Sequence, residues 1–194
     1  MQLKNTSRYP TAEVAWLVAL GMEGVATGDV AVNVKNTTRK AYGGRAYQGV
    51  PRISPVRAAY LVTVHLGAPD RFPTTNLTET VRWLPRDTPS GEATAAAAQR
   101  GGRCVEQLVR DGRLRSWTRY GVVVRRPYGG RGSPLLELRD WREALVAVAA
   151  HEARHIEQFR HGLRRAEADC EWFAAAALER LRTSLREVSF DDKR

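Results

Sequence analysis

Two cysteines in 194 residues, Cys104 and Cys170, are too few and too far apart to build a disulfide framework, so a reducing compartment is expected. No apolar run approaches the roughly 20 residues of a membrane-spanning helix. The best candidate, Val14 to Met22, is bracketed by Glu13 and Glu23 and has no clear cleavage site after it, which argues against a membrane segment or a secretory leader and for a cytoplasmic, intracellular protein. Lysine is scarce, 4 residues against 27 arginines, yet the formal charge is +10. Such a charge favours approach to polyanions and keeps nucleic acid in view as a partner. The arginines are dispersed without one dense run, however, and Arg and Ala enrichment together also follow from a GC-rich coding sequence. Hydrophobic content of 43% and charged content of 27% are ordinary for a globular chain, and the length suits a single domain spanning residues 1–194.

What is present can be taken in order. Thr11 to Met22 reads as a short helix with Thr11 as its N-cap. Asp29 to Val34 reads as a strand, Lys35 to Arg52 as a glycine-containing loop or open hairpin, and Ala58 to Leu66 as a strand with alternating faces. His65, on the second of these strands, is a candidate substrate contact, although a lone strand histidine is more often structural. From Gly67 to Gly91 the prolines suggest irregular chain, followed by helical patterns at Glu92 to Gln99 and Arg103 to Asp111. Residues 67–116 therefore look like an insertion or irregular helical region. Trp117 to Arg126 is a further strand candidate. The tetrapeptide YGGR occurs at Tyr42–Arg45 and Tyr128–Arg131. Glycine turns presenting Tyr and Arg suit phosphates or stacked bases, but paired turns at strand ends are the favoured explanation.

The most informative stretch is Asp140 to Ala174, where His151, Glu152 and His155 form an HExxH pattern. At about 100° per residue, all three fall on the same arc as Trp141, Ala144, Leu145, Val148, Ala149, Ile156 and Phe159, opposite Arg142, Glu143, Arg154, Glu157 and Arg160. Burying a carboxylate and two imidazoles without compensation costs several kcal/mol, and a metal ion is the simplest compensation. Gly162 is a natural stop for this helix. A second helical pattern runs from about Arg165 to Val188, and on it Glu167 and Glu171 share a face with Ala174, Leu178 and Leu181, while Cys170 is buried and Asp169 points away. A Zn²⁺ site here needs a third protein ligand and should leave a fourth position open to water.

His151-Glu152-x-x-His155 followed by Glu167-x-x-Cys170-Glu171 resembles the gluzincin pattern of zincin-type metallopeptidases, found in thermolysin-like, neprilysin-like and ImmA/IrrE-like members. The resemblance implies Glu167 as third metal ligand, Glu152 as general base and Glu171 as the carboxylate orienting a ligand histidine. It also implies an α+β, zincin-like fold. A small antiparallel or mixed sheet would pack on the HExxH helix, and the C-terminal helix would fold back to supply a ligand. His161 is a rival third ligand, since HExxHxxQxxH has metzincin spacing with Gln158 in place of the turning glycine. Zincin-type peptidases hold an extended substrate on an edge strand, for which Trp117 to Arg126 and Ala58 to Leu66 are the candidates. A zinc-dependent peptidase acting on protein or peptide is thus expected. The alternatives are an inactive zincin-like binding or structural module, and a nucleic-acid-associated protease similar to SprT-like proteins.

Overall fold

The computed structural model describes residues 1–38, 40–49, 58–83, 103–104, 121–130 and 132–191. It is an α+β arrangement of three helices and a small mixed sheet. The described elements are β1 (Gln2–Asn5), α1 (Thr11–Gly21), β2 (Val30–Asn36), β3 (Tyr42–Gln48), β4 (Tyr60–Leu66), a 3₁₀ turn (Pro69–Arg71), β5 (Thr74–Thr75), β6 (Leu77–Trp83), β7 (Arg103–Cys104), β8 (Gly121–Pro127), β9 (Glu137–Leu138), α2 (Trp141–Arg160) and α3 (Glu167–Asp191). No described helix is long and apolar enough to cross a membrane.

The main sheet has strand order β1-β2-β4-β3, with β1, β2 and β4 parallel and β3 antiparallel at one edge. Helix α1 provides the crossover between the first two parallel strands, and α2 lies against the sheet with α1 and α3 beside it. Val32, Val62, Val64 and Leu66 on the strands meet Leu145, Val148 and Ile156 of α2 and Leu178 and Leu181 of α3 in one buried core. Where α1 crosses α2 the backbones nearly touch. A Cβ on Gly21 would stand 2.8 Å from the Val146 carbonyl and 2.9 Å from the Ala149 Cβ, so only glycine permits that crossing.

Several expectations are corrected. The Lys35 to Arg52 stretch, expected as a loop or open hairpin, holds a strand whose partner lies beyond it: β3 pairs antiparallel along its whole length with β4, from Tyr42 opposite Leu66 to Gln48 opposite Tyr60. Its two glycines disfavour a strand by propensity, but tertiary pairing overrides that. The first YGGR copy therefore lies inside a strand, whereas the second holds Gly129 and Gly130 at φ +84° in the expected turn after β8. The β4 strand is interior, and β8 belongs to a separate sheet with order β6-β8-β7. Neither is the edge beside α2; β3 is. The proline-rich region contains β6, a seven-residue strand bracketed rather than broken by its prolines. Arg103 and Cys104 are strand instead of helix start, while 84–102, 105–120 and with them the Glu92 to Gln99 helix lie outside the described residues. Thr11 is the first helical residue rather than the cap, with Pro10 outside it and no side-chain cap bond.

Helix α2 begins at Asp140, whose Oδ1 accepts from the Arg142 and Glu143 amides at 2.9 and 3.0 Å. It ends where expected. Gly162 adopts φ +62°, and the Leu163 and Gly162 amides close back onto the Gln158 and Phe159 carbonyls at 2.8 and 3.2 Å, the Schellman arrangement that glycine allows. Glu143, expected on the solvent arc, is buried and paired with Arg182 of α3 at 2.9 Å. A single-helix projection cannot anticipate that a second helix covers its flank.

Candidate metal centre

The α2–α3 hairpin brings together the side chains that the pattern singled out. Nε2 of His151 lies 3.2 Å from Oε2 of Glu167, and Nε2 of His155 lies 3.3 Å from the same oxygen. The other ring nitrogens are occupied. Nδ1 of His151 faces Oε1 of Glu171 at 2.9 Å, and Nδ1 of His155 faces Oε1 of Gln158 at 2.9 Å. Gln158 is held in turn by Asp169, whose carboxylate accepts from Gln158 Nε2 at 3.0 Å and from Arg154 Nε at 2.7 Å. Both imidazoles are therefore clamped from behind with their Nε2 edges turned to one point. Asp169 does stand away from that point, as its place on the helix implied.

Two donor sets are available to a cation. Ligand atoms of His151, His155 and Cys170 lie within 4.8 Å of one another, so these three buried side chains could hold a metal ion. Cys170 Sγ, however, sits 3.4 Å from Nδ1 of His155, behind the ring, at the nitrogen Gln158 already occupies. Burial pushes its thiol up to about 12, helped by the charges of Glu167 and Asp169, and it packs as a small apolar group. Glu167 Oε2 faces both Nε2 atoms, is itself buried, and has no hydrogen bond of good geometry. An orphaned carboxylate oxygen opposite two imidazole nitrogens is a donor set suited to a divalent ion.

The electrostatics agree. The His151 imidazole beside Glu167 holds that carboxyl down at about 2 against the upward push of burial. Burial lowers His151, but Glu167 and Glu171 overcome it and raise the group to about 9. Burial, together with the nearby charge of His151, lowers His155 despite its bond to Gln158. Glu152 adds its charge to those of Glu167 and Glu171, so negative charge is concentrated around the His151 imidazole. Burial raises Glu152 to about 7, opposed by His151 and by the Ala46 backbone amide. Its Oε2 is buried without a hydrogen-bond partner.

Glu152 is seated against β3. A Cβ on Gly44 would meet Val148 Cγ1 at 2.5 Å and Glu152 Oε1 at 2.7 Å, so glycine lets the edge strand lie directly on the motif. Beside it opens a cavity of about 410 Å³ bounded by Gly44, Thr75, Leu77, Tyr128, Val148 and Glu152 among others. Tyr128 stacks its ring obliquely 5.7 Å from that of His151. Burial raises its phenol, as do the charges of Glu167 and Glu152 and a bond to Glu167.

Other candidates fall elsewhere. His161 is the exposed C-cap of α2, its Nε2 3.6 Å from Glu157, so it cannot join the two motif histidines. His65 lies on the sheet face opposite Val64, where burial, Lys35 and Lys40 lower its pKa. Sequence reasoning missed Asn76, Gln158, Tyr128 and Gly44 as parts of the site. Gly44 and Tyr128 stand out in the sequence only as members of the two YGGR copies, and Gln158 only as the residue in place of a turning glycine. No family model matches the chain, and neither a curated protein nor a solved structure matches it.

Proposed function

We propose that the chain is a zinc-dependent metallopeptidase acting on protein or peptide. The observation that carries this reading is the convergence of the two free Nε2 edges on the orphaned oxygen of Glu167, with buried Glu152 alongside on the cavity wall. His151, His155 and Glu167 would hold the ion, and Glu171 and Gln158 would hold the imidazoles. Two nitrogens and a carboxylate with room for a fourth donor match a catalytic rather than a closed structural zinc site. When bound, Zn²⁺ supplies Lewis acidity, polarising a carbonyl and lowering the pKa of water to about 7.

The chain's own residues supply the rest. Glu152, poised at about 7, accepts the proton of a water as the water oxygen adds to the peptide carbonyl carbon. It then delivers that proton to the amide nitrogen as the C–N bond breaks, releasing an acid and an amine. The Ala46 backbone amide favours the ionised form of the Glu152 carboxylate. Tyr128, whose raised phenol stays protonated at neutral pH, is the donor available to the charge that develops on the carbonyl oxygen. An extended peptide would run along β3, the edge strand over Glu152, using main-chain hydrogen bonds.

The test joins metal to turnover. Purified protein supplied with Zn²⁺ should bind one equivalent by elemental analysis and cleave peptide, and Glu152→Gln should keep the zinc while losing turnover by at least about a hundredfold. Protein that stays zinc-free, with His151→Ala as stable as the parent, removes the proposal.

A further inference from the structure

The side chain of Asn76 lies in the short link between β5 and β6, 95 positions before Glu171, and is buried beneath it. Its amide has only one workable orientation. The Leu136 backbone N–H donates to Oδ1 at 2.9 Å, and the Pro134 carbonyl accepts from Nδ2 at 3.1 Å. Backbone groups have fixed polarity, so the oxygen and nitrogen of Asn76 are assigned by their neighbours. The remaining N–H then points at Oε2 of Glu171 at 2.5 Å. A donor there requires a bare acceptor, so Glu171 carries no proton on that oxygen. Its other oxygen faces Nδ1 of His151 and accepts that N–H, which leaves Nε2, 3.2 Å from Glu167, as the nitrogen that can exchange its proton for a metal.

We propose that Asn76 is a positioning residue that sets the tautomer of His151 through Glu171, and so governs the grip of the site on its metal. The inference rests on the metal site proposed above. It assigns a role to a segment whose backbone seat is independent of the side chain, because the Asn76 amide donates to Leu136 O at 3.1 Å and its carbonyl accepts from the Tyr128 amide at 2.8 Å. A change of side-chain polarity therefore leaves the segment in place.

Asn76→Asp keeps the acceptor for Leu136 but turns a second acceptor on the Glu171 carboxylate. Glu171→Gln alone sets an amide donor against the Asn76 donor. Combining them reverses the polarity of the hydrogen bond between the two side chains, with the Pro134 carbonyl lacking its donor in both proteins that carry Asn76→Asp, while the new side-chain amide at position 171 still offers His151 a carbonyl oxygen. Zinc affinity, measured by chelator competition on the full chain, should fall about 10- to 100-fold in Asn76→Asp, the range for partners of metal ligands. The double variant should bind zinc more tightly than either single one. The zinc-free melting temperature is read in parallel. Equal affinity in wild type and Asn76→Asp overturns the role, as does a double variant no tighter than Glu171→Gln, a comparison that holds even if Asn76→Asp alone fails to fold. A wild type that takes up no zinc instead sinks the metal site itself, which is a distinct result.

Discussion

Substituting alanine at Gly44 and, separately, at Gly43 separates contact from backbone freedom, since the two are neighbours in the same strand. At Gly44 the new methyl would lie 2.5 Å from Val148 Cγ1, 2.7 Å from Glu152 Oε1 and 2.9 Å from Glu152 Cγ, each about 1 Å inside normal contact. At Gly43 the nearest atom is the mobile end of Lys40, 3.5 Å away. Overpacking of the first kind costs about 1–3 kcal/mol, which in a domain of this size lowers Tm by about 2–12 °C. It also pushes Glu152 aside, and with Glu152 as the proposed base a displacement near about 1 Å reduces turnover by about a hundredfold. Gly44→Ala should therefore lose activity with zinc content intact, because no proposed ligand is touched. Gly43→Ala should stay within about 0.5 kcal/mol of the parent. Thermal melts, zinc stoichiometry and peptide cleavage on both variants decide the matter. A Gly44→Ala protein as stable and active as wild type would refute the account of β3 as the seat of Glu152.

Other outcomes follow from the same geometry. Glu167→Gln should lower zinc occupancy sharply, whereas Cys170→Ala and His161→Ala should leave one equivalent bound; zinc loss in Cys170→Ala would move the site behind His155. Arg182→Met strands the buried Glu143 carboxylate, so urea melts near neutral pH should show a loss of about 3–5 kcal/mol. Burial raises Glu143, but the Arg182 and Arg139 contacts outweigh it and leave the group lowered. Its stabilisation is thus fully present above the unfolded value of about 4.3 and is lost as pH falls through the lower folded value. The deficit of Arg182→Met should accordingly shrink below about pH 4, and a deficit independent of pH would show that packing, not charge, is at stake. Removing metal with a chelator should lower Tm, since an ion bound only by the folded chain stabilises it.

Much of the hairpin was legible because its information is local. His151, Glu152 and His155 recur at helical spacing among Ala144, Leu145, Val148 and Ile156, and burial in the structure follows that arc. Gly162 marked the turn, and the register of α3 placed Glu167 and Glu171 inward and Asp169 outward. Glu143 escaped because a helix projection considers one partner face, and α3 adds another through Arg182. The strand β3 escaped because glycine reads as a turn signal unless its strand partner and the close packing on Val148 and Glu152 are known.

The sequence by itself determined which groups face inward on two consecutive helices, since the periodicity of about 3.6 residues per turn and a glycine stop act over a few turns of chain. Tertiary structure alone decided what meets them: the edge strand over Glu152, Tyr128 beside His151, and Asn76 behind Glu171. Those contacts join residues tens of positions apart, and their energy depends on atomic fit and polarity at the meeting point, which no local pattern encodes.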